Sequence, residues 1–258
     1  MLMRRKLVMS AGVAVAVVSL AGCQQKLVEG FTVSANGSVT ISETSIASYD
    51  DAAGPLSVVK PDPAALLTAA KKGTHAFAGP GVGKPVVTLV RLSKHVLELR
   101  VSQTMSSLAL LNKHGDAFNP ASLTLDVSPA KGVVPTPTDP LGLTGPRTEK
   151  VTVQAGDSSG TSSASPSGDT FNVTHVGHNW SFLVTENAKA FAQERKEVAS
   201  LTATLQKAGL SPTALVVQIH VKLPGKVVST NGKRLAGGVV SWDLFHLTSP
   251  KLSLKTTD

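Results

Sequence analysis

The chain has 258 residues, one cysteine, 4% aromatic residues and a formal charge of +8, from 25 Lys+Arg against 17 Asp+Glu. A lone thiol excludes an internal disulfide framework, so any core must be held by apolar packing. Few aromatics, and no basic run interleaved with them, exclude the stacking surface of a nucleic-acid binder.

Residues 1–22 open with Arg4, Arg5 and Lys6, continue as an apolar run from Leu7 to Val18, and close on Ser19-Leu20-Ala21-Gly22. A basic head, a short hydrophobic middle and small residues at the cut describe a secretory signal, too short for the ~20 apolar residues that span a bilayer. Leu20-Ala21-Gly22-Cys23 resembles the lipobox of bacterial lipoproteins. That resemblance implies a diacylglyceryl group on Cys23, which becomes the mature N-terminus, and two acyl chains suffice for stable anchoring. Without the three bases of the signal, 22 bases face 17 acids, and the mature charge of +5 favours anionic headgroups. After Cys23 no apolar run is long enough to span. The expected location is the extracytoplasmic face of the cell membrane, with the lipid-anchored N-terminus as the sole tether.

Gln24–Glu29 reads as part of a short tether, residues 23–30. From Phe31 to Ile41 apolar and polar residues alternate on both sides of Asn36-Gly37, which suits a type I′ turn, so a β-hairpin is expected with Phe31, Val33, Val39 and Ile41 inward. Residues 61–72 carry prolines first, helix formers within, Lys71 and Lys72 last and Gly73 beyond, the order of a short helix. Pro85–Leu92 and Val96–Val101 read as strands joined by a turn at Ser93-Lys94. Ser102–Leu111 is ambiguous between strand and helix, and Leu123–Val127 adds a strand. Residues 128–170 are rich in Pro, Gly and Ser and read as a flexible loop with one strand at Lys150–Gln154, interrupting a single domain of residues 31–258.

Trp180–Val184 reads as a strand and Glu186–Ala208 as the longest helix. Phe191, Glu194, Val198, Leu201 and Leu205 form its stripe, and Gly209 and Pro212 stop it. Leu215–Leu223 and Gly238–Phe245 are strands, separated by Pro224-Gly225 and a turn at Asn231-Gly232. The expected fold class is α+β: a mainly antiparallel curved sheet built from hairpins, with one long and one short helix packed on it.

The segment Val221 to Asp243, a strand, Pro224-Gly225, Asn231-Gly232 and an apolar strand ending in Trp242-Asp243, resembles the terminal signature of LppM-type actinobacterial envelope lipoproteins. The opening strand, Asn36-Gly37 and strand resemble the start of the same family. The resemblance implies an envelope domain whose sheet and helices enclose an apolar cavity for lipids or glycolipids. Many LppM-type proteins close with a membrane helix and a basic tail, a pattern that Leu247–Asp258 does not show.

Candidate chemistry is sparse. His175 and His178 place two imidazoles three residues apart, but a metal site needs three or four ligands, and no acid stands close in sequence. Gly79 to Lys84 lacks the spacing and the following Ser/Thr of a phosphate loop. No catalytic residues, metal or cofactor are expected. Trp242 and Asp243 are the candidate ligand residues, because an indole face beside a carboxylate can hold a sugar, though Trp242 also suits the core. The leading expectation is a non-catalytic lipid- or glycolipid-binding lipoprotein. The alternatives are an assembly factor that recruits an envelope protein, and an extracytoplasmic enzyme built on the two histidines. The ligand and any protein partner are not named by the sequence.

Overall fold

The structure, a computed structural model, describes residues 23–49, 62–76, 78–93, 96–114, 120–129, 131–134, 136–137, 147–155, 170–207 and 215–258. The leader and the Ser-rich stretch 156–169 lie outside the described residues.

Alternation around Asn36-Gly37 produces the expected hairpin, and the pairing runs further than the alternating segment. β1 (Cys23–Val33) and β2 (Val39–Tyr49) pair without a break from Val33↔Val39 to Cys23↔Tyr49. Gly37 takes φ 81° in the turn. Residues 24–29 are therefore not a tether. They are strand residues, bonded to β2 on one side and, in parallel, to β9 (Leu215–Lys222) on the other. The local sequence, polar at Gln24-Gln25 and broken by Glu29, hides a strand whose stability comes from two neighbours.

β3 (Val86–Leu92) and β4 (Val96–Met105) form the second hairpin, and β4 docks on β2. The ambiguous stretch after residue 102 divides: β4 runs on to Met105, and a short helix, Leu108–His114, follows a Ser106-Ser107 break. With β11 (Lys233–Arg234) and β12 (Val239–Asp243) on the far side, the order of the main sheet is β11-β12-β9-β1-β2-β4-β3. A second sheet, β10-β13-β8-β7, contains β7 (Thr170–Val176), β8 (Asn179–Thr185), β10 (Lys226–Thr230) and β13 (Lys251–Thr257). β5 (Ser122–Pro129) and β6 (Arg147–Gln154) pair by themselves, so the Pro-rich stretch 128–170 begins and ends its first part as two arms of a hairpin. Apart from β1 with β9, every strand pair among the described residues is antiparallel.

Three helices lie among the described residues. α1 (Pro63–Gly73) starts on Asp62, whose carboxylate accepts from the Ala64 N–H at 3.0 Å, and ends on Lys71 and Lys72, which suit the negative end of the dipole. It buries Leu66, Ala70 and Gly73. α2 is Leu108–His114, and α3 (Ala188–Lys207) is the long helix. In the predicted stripe of α3, Val198 and Glu194 are buried and Phe191 is half-buried, while the side chains of Leu201 and Leu205 lie outside the described residues. Arg195 ties α3 to the chain beyond β12, its guanidinium donating to the carbonyls of Leu244 (2.7 Å), Phe245 (2.7 Å) and Leu247 (3.3 Å).

The two sheets face each other across one core. Phe31 of the main sheet meets Phe171 and Phe182 of the second at ring distances of 5.7 and 6.3 Å, and Phe182 meets Trp242 at 5.8 Å. Buried Leu252 and Leu254 on β13 and Val173 and Val184 on β7 and β8 complete the lining. Each such side chain contributes about 1.5–3 kcal/mol. The chain crosses between sheets at Asn231. Its side-chain amide donates to the Lys251 carbonyl at 2.6 Å, and its Oδ1 accepts from Ser253 N–H at 2.9 Å and from the Trp242 indole at 3.0 Å.

Candidate ligand-binding face

Because side chains alternate along a strand, the pairing register fixes which residues share the inner face of the main sheet. Five rows result. Leu215, Gln25, Ala47 and Leu97 form the first; Val217, Leu27, Ser45 and Leu99 the second; Ile219, Glu29, Glu43 and Val101 the third. The fourth is Val221, Phe31, Ile41 and Gln103, and the fifth Val33, Val39 and Met105. Trp242 extends the third row beyond Ile219, and Val240 extends the fourth beyond Val221.

Most of these positions are apolar and buried, as a core face should be. The exceptions form one connected zigzag. Gln25, Ser45, the Glu29–Glu43 pair and Gln103 are diagonal or direct neighbours in the register, so a polar lane crosses an otherwise apolar face. Gln25, Glu29, Ser45 and Gln103 are 8, 6, 2 and 1% exposed. Glu43, half-buried as a residue, stands directly opposite Glu29, and its carboxyl lies inside the protein, where removal from water pushes it up to about 8. The ends of the lane are tied to the backbone: the Gln25 side-chain N–H donates to the Leu123 carbonyl at 3.0 Å and that of Gln103 to the Gly83 carbonyl at 3.0 Å. The Gln25 Oε1 is buried with no hydrogen-bond partner.

The outer face differs. Thr40 bonds Thr104 at 2.9 Å, Arg100 meets Thr44 at 3.2 Å and Glu98 at 3.6 Å, and His220 meets Gln218 at 3.1 Å. Burial first, and then Lys26, hold His220 below the ordinary histidine range.

The residues singled out by sequence do not converge. Trp242 points inward at 3% exposure, whereas Asp243 accepts from the Phe245 N–H at 3.0 Å and pairs with His246 at 3.1 Å. Adjacent strand residues face opposite sides, so the two do not make one sugar-holding surface. His175 lies flat on Trp180, rings 3.9 Å apart and 9° from parallel, and His178 occupies the β7–β8 turn. Among the described residues no three His, Cys, Asp or Glu side chains are grouped to hold a metal. Gly79–Lys84 forms an edge turn in which the Gly83 N–H bonds the Thr104 carbonyl at 2.8 Å. Cys23 is the first residue of β1. An open concavity of about 350 Å³ lies at the β1–β2 turn, walled by Asn36, Ser107, Leu108, His175 and Trp180.

Sequence reasoning missed the lane, although parity alone marks it. Once Phe31, Val33, Val39 and Ile41 are inward about a two-residue turn, Glu29 and Glu43 are the next inward residues on each arm.

The LppM domain model matches residues 100–256, more than half of the chain. The chain belongs to the LppM family. The matched LppM segment carries β9, β12 and the second sheet, while β1, β2 and the carboxyl pair precede it. The solution NMR structure of the folded domain of LppM from Mycobacterium tuberculosis is similar at 12% identity and a TM-score of 0.35, covering 93% of this chain and 95% of that one. Membership rests on the domain match and not on that likeness. No curated protein sequence matches the chain. LppM is a lipoprotein-type envelope family, and no helix among the described residues is long and apolar enough to cross a membrane.

Proposed function

We propose that this LppM-type chain is a non-catalytic lipid- or glycolipid-binding lipoprotein, held on the extracytoplasmic face of the cell membrane by an acylated Cys23. The observation that carries the reading is the inner face of the main sheet, where five apolar rows are crossed by buried Gln25, Glu29, Ser45 and Gln103 and by the inward carboxyl of Glu43. A core face built for packing alone is apolar, because each polar group buried there needs a compensating partner, without which it costs about 1–3 kcal/mol. A face that meets acyl chains along its rows and polar groups along its lane fits an amphiphile.

The test is direct. The processed, membrane-extracted chain is purified and its bound molecules are identified by mass spectrometry. Near-stoichiometric lipid or glycolipid supports the reading, and a lipid-free protein that takes up none overturns it. Replacing Cys23 with Ser should leave the signal uncleaved at that site and release no lipid-modified form; unchanged processing and membrane retention would remove the anchor from the account.

A second reading, recruitment of a protein partner, is favoured by the edge strand β3, on which Val86 and Val90 are 59% and 45% exposed. Capture of one partner that Val86→Lys abolishes, with lipid content unchanged, would select it.

A further inference from the structure

The second sheet turns one face to the core and the other outward, and its register sorts the residues between them. Val173, Trp180, Phe182, Leu252 and Leu254 are the buried set. Lys251 and Lys255 on β13 and, across the β13–β10 pairing, Lys226 therefore stand on the outer face, and all three are exposed. Between them lie hydroxyls and amides such as Ser229, Ser253, Ser181 and Asn172, and among the described residues this face carries no aspartate or glutamate. Asp258, just beyond β13, turns its carboxylate to the Trp180 indole, which donates to it at 3.3 Å. We propose that this face docks on an anionic lipid surface, an inference that rests on the membrane location proposed above and not on any ligand of the main sheet.

The margin of the face adds apolar tips to the bases. A bulge between Val227 and Ser229 leaves Val228 outside the ladder at 60% exposure, and the Arg234 guanidinium donates to its carbonyl at 3.3 Å. Lys233 and Arg234 of β11 are exposed beside exposed Leu235. Among the described residues none of these five bases, Lys226, Lys233, Arg234, Lys251 and Lys255, is ion-paired. Bases around apolar tips match the boundary of a bilayer, where the bases meet phosphates and the tips enter below them. An acidic peptide would answer the bases alone. Lysine on an edge strand also serves to block pairing with a second sheet, which accounts for Lys226 on β10. It does not account for Lys251 and Lys255, because β13 is paired on both sides, by β10 and β8, and has no edge to guard.

The experiment uses the whole chain from residue 23 with Cys23→Ser, so that no acyl chain contributes. Vesicles of phosphatidylglycerol with phosphatidylcholine are compared with vesicles of phosphatidylcholine alone. Cosedimentation is expected with the anionic vesicles only, weakening as salt rises. Each base at an anionic surface accounts for about fivefold in partitioning, so the triple variant Lys226→Gln, Lys251→Gln, Lys255→Gln should bind about a hundredfold more weakly. The triple variant Lys71→Gln, Lys72→Gln, Lys84→Gln removes the same charge from exposed positions on α1 and the Gly79–Lys84 turn and should bind within about threefold of its parent. Equal losses in the two variants, or none in the first, overturn the inference. Binding to soluble polyglutamate with none to the vesicles overturns it too and gives the face to an acidic protein. Val228→Trp reads penetration directly, since the native Trp180 and Trp242 are 1% and 3% exposed. Its emission must shift to the blue on anionic vesicles, and unmoved emission refutes the docking. If the acylated chain stays on the membrane while the unacylated one ignores anionic vesicles, the location stands and this inference falls; if the unacylated chain binds them through the three lysines and Cys23 proves unmodified, the anchor falls and the docking face stands.

Discussion

Glu29 and Glu43 face each other across the β1–β2 pair, in the middle of the main sheet's inner face and on the same row as Ile219, Val101 and Trp242. Removal from water disfavours the charged form, so Glu43 keeps its proton up to about pH 8.

That proton makes stability depend on pH. The folded value of about 8 lies above the ordinary 4.5, so between the two the folded protein holds a proton that the unfolded chain has released. Stability is therefore highest at or below pH 4.5 as far as this group is concerned, declines as pH rises toward 8, and levels off above, with a slope of up to ~1.4 kcal/mol per pH unit. Glu43→Gln removes the decline and is expected to raise stability by about 1–3 kcal/mol at pH 8. Urea midpoints for both proteins between about pH 5 and 9 check it; parallel curves would show that Glu43 does not titrate in this window.

Asn231 is the stitch between the sheets. Asn231→Ala deletes its bonds to Lys251, Ser253 and Trp242 and leaves a buried indole N–H without its acceptor. A loss of about 2–4 kcal/mol is expected, together with a changed Trp242 emission. Asn231→Asp keeps the acceptor and should recover part of the loss in a denaturant titration.

Arg195 holds α3 through three carbonyls of residues 244–247 and lies over the Phe191 ring at 5.5 Å. Its planar fork does what an ammonium cannot, so Arg195→Lys should cost nearly as much as Arg195→Ala, about 1.5–3 kcal/mol by thermal unfolding. Faster hydrogen exchange in 188–207 than in the β1–β2 pair would locate the effect.

Gly225 ends the Pro224 turn at φ 78°, and a Cβ there would run into the carbonyl of Thr257. Gly225→Ala is expected to cost more than about 2 kcal/mol, against about 1 kcal/mol for Gly37→Ala, whose positive φ opens on free space. Melting temperatures of the two variants make the comparison.

What could be read from sequence was local. The Asn36-Gly37 hairpin, the capped ends of α1, the Pro224-Gly225 turn and the long α3 each have their signal within a few residues. Pairings between distant segments have none. Nothing near Gln24-Gln25 announces that Leu215–Lys222 will lie parallel beside it, and nothing at Asn231-Gly232 distinguishes a simple hairpin from a crossing between sheets. The polar lane sits between these cases: Glu29 and Glu43 are linked by parity through one turn, whereas their neighbours Gln103 and Ile219 arrive from distant strands. Trp242-Asp243 misled because adjacency along a strand means separation across it.

The strand that starts at Cys23 has no slack before it enters the sheet. Were Cys23 acylated as proposed, the lipid would join a rod bonded on both sides almost from its first residue, which would leave the body little freedom to swing on a leash.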